Sequence, residues 1–214
     1  MTTMRVAAVI LAAGSGSRLG GTAKALIRIN GEALVQRLVA TALAAGIADV
    51  LVVTGIYHDA IAQVVSASGA RVVRNPDAEK GQAGSVRLGL QHADPHADAV
   101  MLLLCDQPLL VSADLVALVD AFRGRTAGEF MVPRVDGQGR GNPVVVSRRA
   151  LQVILASRKY VACRDYMDAH PELVSYLDTH NDHYVIDIDV PQDLVAARAR
   201  LACAVELPKL PQPP

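Results

Sequence analysis

The feature that most constrains this chain is an apolar run, Val6-Ala7-Ala8-Val9-Ile10-Leu11-Ala12-Ala13, that breaks directly into a glycine loop, Gly14-Ser15-Gly16-Ser17-Arg18-Leu19-Gly20. Consecutive apolar residues without alternation describe a strand covered on both faces, the condition of a parallel sheet flanked by helices. The run also imitates the h-region of a secretory signal behind Arg5. A loop carrying Arg18, with Lys24 just beyond it, favours the buried strand.

The rest of the chain continues that pattern. Apolar runs at 6–13, 49–54, 70–74 and 99–105 alternate with helical spacings at 34–43, 58–68, 82–92 and 112–122, which is how β-α-β units read. Gly46 is placed to end the first helix, and Ser112 to cap the fourth. After Phe122 the pattern turns mixed, with short strands expected at 129–132, 143–146, 173–178 and 184–187 and helices at 148–157, 163–169 and 191–204. A single α/β domain over 1–204 is expected, followed by a tail over 205–214 that holds four prolines in its last seven residues.

Composition narrows the partners. Lys plus Arg and Asp plus Glu are both 21, so there is no basic excess for a nucleic acid. With no Trp and two Phe, a base-stacking platform is also lacking. Cys105, Cys163 and Cys203 are widely spaced with no C-x-x-C pair, which suggests neither a zinc site nor a disulfide framework and fits a reducing cytoplasm. No apolar run approaches the ~18 residues of a membrane span.

Ligands of α/β sheets bind beyond the carboxyl ends of the strands, where the glycine loop sits. Small residues let its backbone close around phosphates, and Arg18 and Lys24 supply the charge a triphosphate needs. The loop is not a P-loop, since no Gly precedes Lys and a hydroxyl residue, and Gly14, Gly16 and Gly20 are spaced too widely for a dinucleotide fingerprint. A nicotinamide enzyme is therefore the second reading.

Two acidic sites end other apolar runs: Asp106, in Cys105-Asp106-Gln107-Pro108, and Asp189, in Asp187-Ile188-Asp189-Val190-Pro191. A carboxylate at such a strand end costs desolvation unless a cation meets it, and Mg²⁺ carried in by a nucleotide is the natural partner. Alternation puts Asp187 and Asp189 on one face, so Asp106 and Asp189 are expected to clamp one metal.

These segments, with Gly84-Ser85-Val86-Arg87 and Gly141-Asn142-Pro143-Val144, resemble the nucleotidyltransferases of the molybdenum cofactor over about residues 5–200. Leu11-Ala12-Ala13-Gly14 is similar to the cytidylyl branch, whose product serves enzymes of the xanthine dehydrogenase type. The segment 158–171, with Cys163-Arg164 and His170-Pro171, lacks the glycine-rich G-D-x-G stretch of many cytidylyl members. The resemblance implies a Rossmann-like, GT-A-type α/β/α sandwich with a mostly parallel mixed sheet. It implies CTP or another NTP as donor, a molybdopterin-type acceptor, and Mg²⁺. Leu11, Ala12, Ala13, Gly14, Ser15 and Gly16 would bind the nucleotide, with Asn75, Gly81 and Ser85 reading its base. Arg18, Lys24 and Asp106 would be catalytic, and Gln107, Gly141, Asn142 and Pro143 would line the acceptor side. A protein that delivers finished cofactor to an apo molybdenum hydroxylase, or a relative recruited to NAD(P)H-dependent redox chemistry, is the alternative of a different class.

Overall fold

The computed structural model describes residues 4–157 and 163–208. The prolines beyond 208, and residues 158–162 of the segment that lacks the glycine-rich stretch, lie outside the described residues. Strand β1 (Val6–Ala12) sits at the centre, paired in parallel with β4 (Asp49–Thr54) on one side and β6 (Ala99–Leu104) on the other. Between them come two short strands, β2 (Arg28–Ile29) and β3 (Glu32–Ala33), and β5 (Arg71–Arg74) follows β4 on the outer edge. The later strands are β7 (Phe130–Val135), β8 (Gly139–Arg140), β9 (Val144–Ser147), β10 (Val174–Thr179) and β11 (Val205–Glu206).

The main sheet runs β10-β7-β9-β6-β1-β4-β5, with β8 hairpinned onto β7. β9 is antiparallel to both neighbours and the remaining pairs along that path are parallel, which makes the sheet mixed but mostly parallel. Helices α1 (Leu34–Ala44), α2 (His58–Val65) and α4 (Ser112–Gly124) pack on one face. Helices α3 (Gln82–His92), α5 (Arg148–Ala156) and α6 (Cys163–Ala169) pack on the other. Successive β1 side chains feed opposite layers, Ala8, Ile10 and Ala12 into the first and Ala7, Val9 and Leu11 into the second. That is why the run shows no polar alternation. Each such buried branched side chain contributes about 1.5–3 kcal/mol. No described helix is long and apolar enough to cross a membrane.

Several expectations shift. Val205 and Glu206, read as tail, pair with Ile29 and Arg28 of β2. With α7 (Pro191–Leu201) this small sheet closes a separate cluster around Ile27, Ile29, Ile188 and Leu194. The cap of α4 is not Ser112: the Asp114 carboxylate accepts from the Val111 N–H (2.9 Å) and so serves an otherwise unpaired backbone donor. The expected strand at 184–187 is absent; residues 182–184 form a 3₁₀ turn and 185–189 are irregular. Alternating apolar and acidic residues imitate a strand there, but the backbone finds tertiary partners instead of a ladder. The Tyr184 carbonyl accepts from Asn142 N–H (2.8 Å), and the Ile188 N–H donates to the Asp106 carbonyl (2.9 Å).

Candidate active site

A cavity of about 710 Å³ opens above the carboxyl ends of β1, β4 and β6. Leu11, Ala12, Ala13, Gly14, Ser15 and Gly16 form one wall, as expected of a loop leaving the central strand. The loop's fold depends on Gly16. Its φ is +63°, and a Cβ there would stand 1.7 Å from the Thr22 carbonyl oxygen. Gly16 in turn accepts the N–H groups of Leu19 (2.8 Å) and Gly21 (3.0 Å), so the loop curls back on itself. Gly16→Ala is therefore expected to spoil the loop while the sheet below it stands: nucleotide affinity, measured by calorimetry with CTP, falls while the melting temperature moves little. Unchanged affinity would remove the loop from the binding site.

Lys24, Asp106 and Asp189 meet at the cavity's floor. Buried Ala23, Ala25 and Leu26 anchor the 3₁₀ turn Lys24–Leu26 and leave Lys24 as its polar member facing the carboxylates. Its ammonium lies 3.0 Å from Asp106 Oδ2 and also donates a hydrogen bond to Asp189 Oδ1. Arg18 reaches Asp189 from the solvent side at 3.4 Å, with its side chain 74% exposed, so this outer pair adds little stability.

Burial pulls the Lys24 ammonium down, but the hydrogen bond to Asp189 and the charge of Asp106 raise it on balance. The same hydrogen bond holds the Asp189 carboxyl below the ordinary range. The Asp187 carboxyl is pushed up by desolvation and then by the negative charges of Asp106 and Asp189. Asp187 thus feels both of the other carboxylates, although no strand aligns it with Asp189. Asp106 Oδ1 is buried and, among the described residues, has no hydrogen-bond partner.

The start of α7 is capped by Asp193, whose Oδ2 accepts from the N–H groups of Asp189 and Val190 (2.8 Å each). Asp189 is left free for the cations.

Gly81 and Ser85 line the far wall, at the start of α3. Asn75 lies behind it, donating through Nδ2 to Ser85 Oγ (2.9 Å) and accepting from Asp77 N–H (3.0 Å). It supports Ser85 and does not face the cavity.

The proposed acceptor group is displaced more clearly. Gln107, Gly141, Asn142 and Pro143 do not border the cavity. Gln107 is buried and donates to the Asn142 and Tyr184 carbonyls. Gly141 packs so closely that a Cβ would stand 2.4 Å from the Tyr184 oxygen. These residues form a joint behind the site, and a glycine and an amide read from sequence could not be told from ligand contacts.

The sequence reading passed over Ile56, Tyr57 and Glu79, which also line the cavity. Tyr57 hydrogen-bonds the Gly21 carbonyl and so ties the glycine loop to the end of β4. The signal was present, since 55–57 follow an apolar strand as 14–20 do, but they carry no charge to mark them.

A mostly parallel sheet with a glycine loop, paired cations and facing carboxylates above its strand ends is the architecture of Rossmann-like nucleotidyltransferases. Residues 8–174 match the MobA-like NTP transferase domain, and the chain belongs to that family. It is 27% identical over 195 residues to nicotine blue oxidoreductase of Paenarthrobacter nicotinovorans, covering 88% of this chain and 94% of that one. It is 35% identical over 138 residues to 2-C-methyl-D-erythritol 4-phosphate cytidylyltransferase of Thermobifida fusca (strain YX), covering 62% of this chain and 55% of the relative, so it spans about half of that protein's length. The crystal structure of Rv0371c from Mycobacterium tuberculosis H37Rv superposes with a TM-score of 0.78 at 26% identity, covering 92% of this chain and 98% of that one.

Proposed function

We propose that this protein transfers CMP from CTP to the terminal phosphate of molybdopterin or the molybdenum cofactor, releasing pyrophosphate. The observation that carries the transfer reading is the floor of the cavity, where Lys24 meets one carboxylate from the end of β6, Asp106, and one from the irregular segment before α7, Asp189, beside a wall of small residues. The nucleophile is a phosphate oxygen, already anionic at neutral pH, so the chain need supply no general base. Its P–O bond to the α-phosphorus forms as the bond to the β-phosphate oxygen breaks, and the electron pair leaves with pyrophosphate. Catalysis is then positioning and charge neutralisation.

Arg18 and Lys24 hold the β- and γ-phosphates and stabilise the departing charge. Asp106 and Asp189 fit Mg²⁺: they are hard oxygen donors, they already share one cation, and Asp106 Oδ1 has no partner among the described residues. Two carboxylates are also what Mg²⁺ commonly takes from a protein when phosphates supply further oxygens. When bound, the ion supplies neutralisation of charge on the α-phosphate. Ser85, braced by Asn75, and the Gly81 turn stand on the opposite wall, within the same cavity as the loop, and read the base.

Support for CTP comes from the Leu11-Ala12-Ala13-Gly14 sequence and from the T. fusca relative, whose name is that of a cytidylyltransferase. Ala13 lies on the cavity wall. Ala13→Gly is expected to shift preference toward GTP, read as the ratio of kcat/KM for the two nucleotides; an unchanged ratio would refute base selection by this loop. Molybdopterin rests on the motif resemblance alone, and a hydroxylase partner follows only from it.

One observation favours a second reading. The relative that matches nearly end to end is named an oxidoreductase. Oxidation of NADH or NADPH by the purified protein, without pyrophosphate release from any NTP, would decide for it. The cofactor-delivery reading predicts binding of finished cofactor with neither reaction.

A further inference from the structure

Asp106 and Asp189 come from distant parts of the chain, and their spacing depends on what joins 106–107 to the irregular segment 184–189. Two ties lie beside the acids. One is backbone, from Ile188 N–H to the Asp106 carbonyl (2.9 Å). The other is the Gln107 side chain, whose Nε2 donates to the Tyr184 carbonyl (3.0 Å) and the Asn142 carbonyl (3.2 Å). Two carbonyl acceptors fix which end of this amide carries the nitrogen.

The Tyr184 carbonyl has both lone pairs engaged, by Gln107 and by the Asn142 N–H. At its other end Tyr184 donates its hydroxyl hydrogen to the Asp114 carbonyl (2.8 Å). The Gln107 amide thus crosses between a fixed point and the residue next to Asp106. Ordinary core packing does not call for this: the side chain is buried, and its own Oε1 lacks a partner among the described residues.

We propose that Gln107 is a positioning residue for nucleotidyl transfer: its amide, touching no substrate, holds the Asp189 segment at the distance from Asp106 at which the pair grips a metal–nucleotide. The proposal rests on the transfer reading above. Partners that orient metal-ligating carboxylates from behind are worth about 10- to 100-fold in metal affinity.

The test is Mn²⁺ binding, followed by electron paramagnetic resonance in the presence of CTP, for the full chain and for Gln107→Met, which keeps the volume and loses both donors. Affinity is expected to fall by about 10- to 100-fold, and the metal concentration for half-maximal pyrophosphate release to rise by more than kcat at saturating metal falls. Gln107→Asn, which keeps the amide on a shorter stem, is expected to fall between the two, and it decides the matter should the Met variant not fold. A lower melting temperature with unchanged Mn²⁺ affinity would overturn the proposal and make Gln107 a packing residue only. The transfer reading fails separately, if the wild-type chain releases no pyrophosphate from any NTP, while the Mn²⁺ comparison still judges Gln107.

Discussion

Asp106→Asn is expected to stop metal-dependent pyrophosphate release while leaving the fold intact, with only a modest loss of stability. The substitution keeps the side chain's shape but removes the charge that, with Asp189, would hold Mg²⁺. Loss of a metal's charge stabilisation is worth several kcal/mol, so a rate at least about a thousandfold lower is expected, at ~1.4 kcal/mol per factor of ten. The stability side follows from what Asn keeps: its oxygen still accepts from Lys24, whose second carboxylate partner, Asp189, is untouched, and the buried polar atom without a partner among the described residues is carried over unchanged. Pyrophosphate assay and thermal melt check the two halves; an unaffected rate would sink the metal assignment, and a collapse of the melt would make Asp106 structural.

Lys24→Ala has the second largest expected effect, and it acts twice. In catalysis it removes one electrostatic contact to the leaving pyrophosphate, about 2–4 kcal/mol or roughly 30- to 1,000-fold in rate. In the resting protein it removes the ammonium that pairs with both Asp106 and Asp189 and leaves, among the described residues, exposed Arg18 on Asp189. The pH dependence follows from the signs. Asp189, held low by Lys24, contributes stability above its unfolded pKa and loses it as pH falls through the lower folded value. Lys24, held high, contributes stability below its unfolded pKa and loses it as pH rises through the folded value. Both contributions are in place at neutral pH and both vanish in the variant. The gap in melting temperature between wild type and Lys24→Ala is therefore full near neutrality and narrows as pH falls below about 4, the ordinary carboxylate value from which Asp189 is held down. A gap that grows on acidification would contradict the arrangement, and a change confined to the melt, with kcat intact, would make Lys24 structural.

The central strands were legible because burial on both faces writes a continuous apolar run, and β1, β4 and β6 lie where those runs do. The candidate site was legible in its charged members for a related reason: Lys24, Asp106 and Asp189 are charged residues next to apolar ones, and they pair with one another, with exposed Arg18 reaching Asp189 from solvent. What escaped was set by tertiary contact. The segment 184–189 has a strand's alternation, but its hydrogen bonds go to Gln107, Asn142 and Asp106. Gln107, Gly141 and Asn142 looked like a ligand wall because packing against another backbone selects the same small and amide residues that packing against a substrate does. The strands β2, β3 and β11 are two residues each, too short for any period to show.

The most direct test of the account gives purified protein α-labelled CTP, Mg²⁺ and molybdopterin or molybdenum cofactor, and follows both the label and pyrophosphate. Transfer of labelled CMP to the acceptor in equal amount to the pyrophosphate released is the predicted result. Absence of pyrophosphate with CTP, GTP and ATP alike, together with oxidation of NADH or NADPH, would contradict it.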